Sequence, residues 1–227
     1  VLFLSDFGTL DDAVPICKGT MLELAPSLSI IDVTHDVQPF SILDGARFLA
    51  NTSRYYSKAV FVAVVDPGVG SDRKAIVVKS KNDHFFVLPD NGLITLVEDK
   101  LGIVGIREIR NPEWMRKNQV SSTFHGRDIF APVAARLARG DNWEEVGPPL
   151  HSHVRLEISP PKVVGSTLFA TVIATDGPYG NLVTNIETNE LLALGVQWGT
   201  PLNVKLGKLK LKIPYVRTFS SVPNKKP

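Results

Sequence analysis

Two segments far apart in the sequence carry side chains suited to joint acid–base chemistry. Residues 64–73 contain Asp66 and Arg73, and residues 122–128 contain His125. Each segment lies where an apolar, strand-like run gives way to a glycine turn, a place where a side chain can face a cleft. A carboxylate, a guanidinium and an imidazole at one cleft would suit proton removal from a bound molecule. The alternative is a plain turn, a solvated charge and a helix-start residue.

The elements that must position these residues follow an alternating pattern. Val1–Leu4, Ser29–Val33 and Ala59–Val65 are short apolar runs rich in β-branched or aromatic residues, which predict parallel strands. Between them, Asp11–Ala25 and Ile42–Tyr56 carry apolar residues at helical spacing. The pattern predicts an α/β domain with a mainly parallel central sheet.

Further elements complete this first domain. Ala75–Lys79 and His84–Leu88 predict an antiparallel hairpin after the third strand. A helix is expected to start near Asp90, with Asp90 or Asn91 as its cap, and another is expected over 128–138.

The texture changes after Leu150. Ser159-Pro160-Pro161 interrupts the pattern, and mostly strand-like runs follow, with a short helix expected over 190–194. The predicted strands are Ser166–Ala174, Asn181–Ile186, Pro201–Leu206 and Leu209–Ile213. We therefore predict two domains, residues 1–158 and a small β domain over 159–227.

Composition narrows the class of protein. Of the 227 residues 44% are hydrophobic and 21% charged, and the net charge of +2 argues against a nucleic-acid surface. No run approaches the roughly 18 to 20 apolar residues of a membrane helix. Cys17 has no partner cysteine, which excludes an intrachain disulfide and favours a cytoplasmic location. His151 and His153 lack further ligands nearby, so no metal site is expected.

Three carboxylates fall at corresponding places. Asp6, Asp32 and Asp66 stand at or just past the carboxyl end of a predicted parallel strand. Ligands bind at that edge of an open α/β sheet. Each aspartate taken singly also suits a helix cap or a turn.

Six ordered segments carry a family resemblance. They are Ser5-Asp6-Phe7-Gly8-Thr9-Leu10-Asp11-Asp12, Asp32-Val33-Thr34-His35, Val65-Asp66-Pro67-Gly68-Val69-Gly70, Pro89-Asp90-Asn91-Gly92, Thr123-Phe124-His125-Gly126-Arg127-Asp128 and Asp176-Gly177-Pro178-Tyr179-Gly180-Asn181. With them the chain resembles the S-adenosyl-L-methionine (SAM) hydroxide adenosyltransferases, or SAM hydrolases, relatives of the fluorinases and chlorinases. Six ordered segments are far more specific than a lone glycine motif.

The resemblance implies both an architecture and a reaction. It implies an N-terminal α/β domain, a C-terminal β-barrel-like domain, and a homotrimer whose active sites lie between neighbouring subunits. The reaction would be attack of water on C5′ of the ribose of SAM, which releases adenosine and L-methionine. SAM is then the substrate, and no cofactor is expected.

The resemblance also assigns residues. The family's catalytic Asp, Arg and His match Asp66, Arg73 and His125, and either Asp66 or His125 would draw the proton from water while Arg73 fixes the carboxylate. The residues matched to substrate binding are Asp6 (ribose hydroxyls), Asp11, Phe40 (ribose side), Phe124, Asp176 (methionine ammonium), Tyr179 and Phe219 (adenine faces) and Asn181 (adenine edge).

Two other functions stay open at this point. A halide-using enzyme of the same fold would lack the Asp, Arg and His, and a carboxylate beside a halide is unfavourable. A non-catalytic SAM or adenosine sensor would keep only the binding residues. Family members continue past the region of Phe219 with a segment that contacts adenine and the methionine carboxylate. We therefore expect either that the C-terminal domain is truncated here or that these two subsites are built differently.

Overall fold

The computed structural model describes residues 1–117, 120–176 and 179–222, without the side chains of Asp176 and Phe219. The chain divides into two compact units, Val1–Glu157 and a second unit that begins at Ile158. None of the described helices has the length and apolar character needed to cross a bilayer.

The N-terminal unit is built on one seven-stranded sheet. Its strands are β1 (Leu2–Ser5), β2 (Ile31–Thr34), β3 (Val60–Val64), β4 (Ala75–Ser80), β5 (Phe85–Pro89), β6 (Ile103–Glu108) and β7 (Pro149–Leu150), in the order β2-β1-β3-β5-β4-β6-β7. The four strands β2, β1, β3 and β5 run parallel, and β4, β6 and β7 extend the sheet with antiparallel pairs. The mainly parallel α/β sheet predicted from the sequence is confirmed.

Helices cover both faces of this sheet. They are α1 (Ala13–Leu24), α2 (Ile42–Ser53), α3 (Thr95–Leu101) and α4 (Ala131–Ala138), with a π-helical turn at Gly126–Phe130 and short 3-10 turns at Pro112–Trp114 and Trp143–Val146. On β3, Val62 packs into the cluster that includes α1 and α4, and Phe61 packs into the cluster that includes α2. Burial on both faces explains why β3 is a continuous apolar run.

In the N-terminal unit, the structure departs from the sequence predictions at two helices and two strands. The helix expected near Asp90 begins at Thr95, and the predicted caps are wrong, because Asp90 accepts a hydrogen bond from Val154 N and Asn91 donates one to Val65 O. Strands β6 and β7 were not predicted. The helix expected over 128–138 is preceded by the π-helical turn, which begins at Gly126.

The second unit consists of small antiparallel sheets. Its strands are β8 (Lys162–Val164), β9 (Thr167–Phe169), β10 (Val172–Asp176), β11 (Asn181–Thr184), β12 (Pro201–Leu206) and β13 (Leu209–Pro214), with α5 (Thr188–Ala193) and a 3-10 turn at Phe219–Ser221. They pair as β8-β9, β10-β11 and β12-β13. The small β domain is confirmed, but the described strands do not close into a barrel.

Candidate active site at the carboxyl edge of the parallel strands

A cavity of about 260 Å³ opens where β1 and β3 end. Four segments surround it: the turn after β1, the loop between β2 and α2, the loop after β3, and the turn that precedes α4. The lining residues are Asp6, Phe7, Pro39, Phe40, Val64, Asp66, Val69, Thr123, Phe124, His125 and Gly126. The cavity therefore lies at the edge of the sheet where α/β proteins bind ligands.

Arg73 joins the two segments singled out in the sequence. Its Nε donates to Asp66 Oδ1 over 2.8 Å, and its Nη2 contacts both Asp66 Oδ2 and His125 Nδ1, the latter over 2.7 Å. The side chains of Asp66 and Arg73 are only 5% and 9% exposed. The guanidinium carbon also lies 5.3 Å from the ring centre of Phe130. One buried guanidinium thus fixes the carboxylate and the imidazole in a single group.

A glycine allows the two segments to approach this closely. Gly70 has a φ of +79°, and a Cβ at this position would collide with the backbone oxygen of Ser122. Only glycine adopts this backbone conformation at little cost and leaves the space empty. The loop after β3 and the segment that leads to His125 are therefore in direct backbone contact.

The segment that carries His125 is anchored by a buried carboxylate. Asp128 is fully buried and accepts hydrogen bonds from Arg127 Nε over 2.6 Å and from Ser121 N over 2.8 Å. Burial alone would raise the pKa of Asp128, but the hydrogen bonds from Arg127 and Ser121 lower it overall. The ionised Asp128 holds both ends of the turn on which His125 lies.

The hydrogen bond to Arg73 defines the proton positions on His125. A guanidinium only donates, so Nδ1 must accept and the neutral ring carries its proton on Nε2. Burial lowers the pKa of His125, and the positive charge of Arg73 lowers it further. The ring is therefore neutral at pH 7, and its Nε2–H has no hydrogen-bond partner among the described residues.

Asp6 lies on another wall of the cavity. Its Oδ2 accepts a hydrogen bond from the backbone N–H of Phe40 over 2.9 Å. Phe40 has a left-handed φ of +65° and an exposed ring, an unusual backbone for an aromatic residue. Burial raises the pKa of Asp6. The rings of Phe7 and Phe124 meet edge to face at 5.9 Å and form the apolar part of the wall.

The structure places the other predicted residues elsewhere. Asp11 is exposed, accepts a hydrogen bond from Ala13 N at the start of α1, and does not line the cavity. Tyr179 is exposed and Asn181 begins β11, both in the second unit. The predictions for the side chains of Asp176 and Phe219 fall outside the described residues.

Six of the lining residues were not among the predicted site residues: Phe7, Pro39, Val64, Val69, Thr123 and Gly126. Phe7 and Val69 line the wall beside Asp6 and Asp66. Both lie inside quoted motifs, so adjacency to a predicted residue was the available signal. Asp32, predicted at a strand end, lies within β2 and outside the lining. Among residues 1–117, 120–176 and 179–222, no group of three or more His, Cys, Asp or Glu is arranged to hold a metal ion.

Comparisons with known proteins give consistent matches. Family models match at residues 1–147, for the SAM hydroxide adenosyltransferase N-terminal domain, and at 170–227, for the C-terminal domain. An (R)-S-adenosyl-L-methionine hydrolase of Salinispora arenicola is 42% identical over 184 residues, which cover 80% of this chain and 70% of the relative. A fluorinase of Nocardia brasiliensis is 31% identical over 247 residues, which cover 97% of this chain and 82% of that protein.

A solved structure is also similar. The crystal structure of an uncharacterized conserved protein from Thermotoga maritima superposes with a TM-score of 0.91 at 40% sequence identity. The superposition covers 98% of this chain and 84% of the other. The likeness therefore extends over both units of the chain.

Proposed function

Since this chain belongs to the SAM hydroxide adenosyltransferase family, we propose that it is an enzyme that hydrolyses SAM to adenosine and L-methionine. The resemblance inferred from six sequence motifs is thereby confirmed. The observation that carries the activity is the bridge from Arg73 to both Asp66 and His125 at the cavity wall. Such a group suits the activation of water, and the hydrolases among the relatives bear the name of this reaction.

The reaction needs a nucleophile more than an acid. The oxygen of water forms a bond to C5′ of the ribose while the C5′–S bond breaks. The electron pair of the C5′–S bond goes to sulfur. The sulfonium leaves as the neutral thioether of methionine, so no group has to protonate it. One proton of the water must leave as the C–O bond forms. Orientation of the water behind the C–S bond contributes up to about 7 to 11 kcal/mol, and base catalysis about 10²- to 10⁴-fold.

The hydrogen-bond pattern divides the work among the three residues. His125 cannot accept a proton on Nε2 while Arg73 donates to its Nδ1, because the neutral ring then carries its proton on Nε2. We therefore assign the base to Asp66, whose oxygens retain lone pairs beside the bonds from Arg73. His125 donates its Nε2–H to the attacking oxygen, and Arg73 holds both groups in place. The hydrogen bond from Arg73 to His125 thus supports Asp66 over His125, the two candidate bases that the sequence leaves open.

The remaining cavity residues would hold the substrate. Asp6 would accept hydrogen bonds from the ribose hydroxyls, and Phe40 and Phe124 would lie along the ribose. From the second unit, Tyr179 and Asn181 would contact adenine. The proposed binding set is completed by Asp11 and by two residues whose side chains are not among those described, Asp176 and Phe219. A homotrimer and a cytoplasmic location are also part of the proposal, the latter supported by the lone Cys17.

Halide transfer is the weaker candidate, although fluorinases are among the relatives. Asp66 and Asp6 both line the cavity. Two carboxylates would repel a halide ion, whereas they can accept hydrogen bonds from water and ribose.

Isotope labelling tests the proposed activity. Incubation with SAM in ¹⁸O-labelled water should give methionine and adenosine with the label at the 5′ oxygen, measured by mass spectrometry. Unlabelled adenosine, or 5′-chloroadenosine formed in chloride buffer, would contradict hydrolysis by water. A heat-denatured sample of the same protein controls for spontaneous breakdown of SAM.

A further inference from the structure

A chain of polar contacts runs from the surface of the N-terminal unit to the turn that carries Asp6. Lys18 Nζ lies 2.6 Å from Asp32 Oδ2, and Asp32 Oδ1 lies 3.1 Å from His35 Nε2, without the alignment of a hydrogen bond. His35 Nδ1 lies 2.7 Å from Ser5 Oγ. Ser5 Oγ then accepts a hydrogen bond from Phe7 N over 3.3 Å.

The proton positions along this chain agree with one another. An Nε2–H on His35 faces the negative charge of Asp32, which leaves Nδ1 as the acceptor. The Ser5 hydroxyl donates its hydrogen to that nitrogen, and its oxygen is free to accept from Phe7 N. The ammonium of Lys18 balances the charge of Asp32. Each contact therefore favours the next, and the imidazole is held in one tautomer.

The series of polar contacts ends at the residues on both sides of Asp6. Ser5 and Phe7 are the neighbours of Asp6, and the bond between Ser5 Oγ and Phe7 N closes a turn around it. The backbone of His35 supports the same turn, since its carbonyl accepts from Gly8 N over 2.7 Å. The ordinary interpretation of a buried histidine is local satisfaction of its own nitrogens. Here the bonded partners of His35 instead define the path of the backbone through Asp6.

The polar contacts among Asp32, His35 and Ser5 do not form a second catalytic centre. Ser5 is fully buried and His35 is 5% exposed, so no substrate reaches the serine hydroxyl. Neither residue lines the cavity. Their effect on a ligand must therefore pass through the turn that carries Asp6 and Phe7.

We propose that Ser5, His35 and Asp32 are positioning residues that fix the carboxylate of Asp6 for recognition of the ribose hydroxyls. The inference rests on the proposed role of Asp6 in binding the ribose. Loss of these polar contacts should therefore reduce the preference of the protein for a nucleoside with both ribose hydroxyls. It should have much less effect on contacts with the base.

Binding of nucleosides to the full chain tests this role. Dissociation constants for adenosine and 2′-deoxyadenosine are measured by calorimetry for the wild type and for Asp6→Ala, Ser5→Ala, His35→Asn and Asp32→Asn. The wild type should prefer adenosine by about tenfold or more, the value of one hydrogen bond to a charged group. Asp6→Ala and His35→Asn should lose most of that preference, Ser5→Ala somewhat less, and Asp32→Asn about threefold.

His84→Asn is the matched control. His84 is also buried, and its Nδ1 also accepts a hydrogen bond, in this case from the backbone N–H of Ala59 over 3.1 Å, but it lies away from the cavity. This variant should lose stability and keep the wild-type preference. The inference is overturned if Ser5→Ala and Asp32→Asn, which make the smallest changes to the core, keep the full preference while Asp6→Ala loses it. Because the assay needs no turnover, a wild type that binds with this preference but fails to hydrolyse SAM would reject only the proposed function.

Discussion

The two units of this chain differ in how they use apolar side chains. The N-terminal unit holds its sheet between two buried clusters, which include Phe3 and Phe130 on one face and Phe61 and Leu49 on the other. No described residue after Val146 is buried. The group of Asp66, Arg73 and His125, which we propose to activate water, therefore lies on the part of the chain that has its own close-packed core.

The second unit has strands with an apolar face, as a core would require, but its described residues are not buried. Along the hairpin β12-β13, the register pairs Val204 with Leu211 and Lys205 with Lys210, so one face is apolar and the other carries lysines. Leu211 is 42% exposed. A catalytic group must keep its geometry within fractions of an ångström, and a packed core provides that rigidity. We therefore expect changes at Asp66, Arg73 and His125 in the first unit to affect the rate of reaction, and changes in the second unit to affect substrate affinity.

The largest expected effect comes from the bridged group itself. Asp66→Ala and His125→Ala should lower kcat by about 10²- to 10⁴-fold, since they remove the base and the donor to the attacking oxygen. The dissociation constant for SAM should change far less, because neither residue is assigned to bind it. Single-turnover kinetics and equilibrium binding separate the two quantities.

Asp141→Ala is a matched control for this experiment. Asp141 also accepts two hydrogen bonds from one arginine, Arg139, over 2.6 and 2.7 Å, but it lies outside the cavity. Its loss should leave kcat within about twofold, the small effect of a partly exposed ion pair. Equal losses of turnover and SAM binding in Asp66→Ala would contradict the catalytic assignment and indicate a structural role.

A glycine substitution tests whether rigidity of the first unit matters. Gly70→Ala should lower kcat by about 10²-fold, because the new Cβ forces the loop away from Ser122 and shifts Arg73 relative to His125. Gly199→Ala in the second unit has a similar φ of +89° but no atom within 4 Å of the added Cβ. It should show the backbone strain alone, as a small loss of thermal stability with kcat unchanged. Equal kcat values for the two variants would show that the close approach is not needed.

A substitution in the second unit should change affinity instead. Tyr179→Ala should raise KM for SAM by up to about tenfold if its ring stacks on adenine, since such contacts contribute about 0.5 to 1.5 kcal/mol. Its kcat should stay within about threefold. Steady-state kinetics with Tyr179→Phe as the conservative variant measure this. A fall of kcat at unchanged KM would contradict the expectation that changes in the second unit affect substrate affinity rather than rate.

The smallest expected effect is a dependence of stability on pH that belongs to the first unit. Burial lowers the pKa of His84, so the unfolded chain takes up the proton first as the pH falls below about 6.5. Stability should then fall with pH, by up to about 1.4 kcal/mol per pH unit for this proton, until His84 also protonates in the fold. His125 contributes with the same sign. No histidine follows His153, so the second unit lacks this response.

Denaturant titrations between pH 5 and 7 can assign this effect to a unit. A Trp198→Phe background leaves Trp114 and Trp143 as fluorescent probes of the first unit. His84→Asn should be less stable at pH 7 and show a weaker fall of stability toward pH 5. An unchanged slope would mean that other groups cause the pH dependence.

The sequence predicts the first unit well where periodicity is strong. The β-branched run at Val60–Val64 and the helical spacing in Ala13–Leu24 fix β3 and α1 because one pattern fits each. Strand β6 was not predicted because only Ile106 is buried in it, Val104 is exposed and the other residues are partly buried, so its sequence resembles a loop. Asp90 looked like a helix cap, but its carboxylate is used by Val154, a partner 64 residues away that no local pattern indicates.

The site shows the same limit. The types of Asp66, Arg73 and His125 were visible, and strand ends predict their common edge. The sequence did not show that one nitrogen of Arg73 contacts both Asp66 and His125. That arrangement depends on the close contact between Gly70 and Ser122. The π-helical turn after His125 also has no signature in apolar spacing, since its extra residue changes the phase of a single turn.

The contact at Gly70 also limits how such a site can be exchanged between relatives. Because the backbone oxygen of Ser122 fills the place of a Cβ, the loop after β3 and the segment before α4 fit each other as a pair. Transfer of residues 66–73 alone into another scaffold would carry the carboxylate and guanidinium but not the surface against which they are set. In a chimeric protein, residues 66–73 and 121–128 form the smallest transplantable unit.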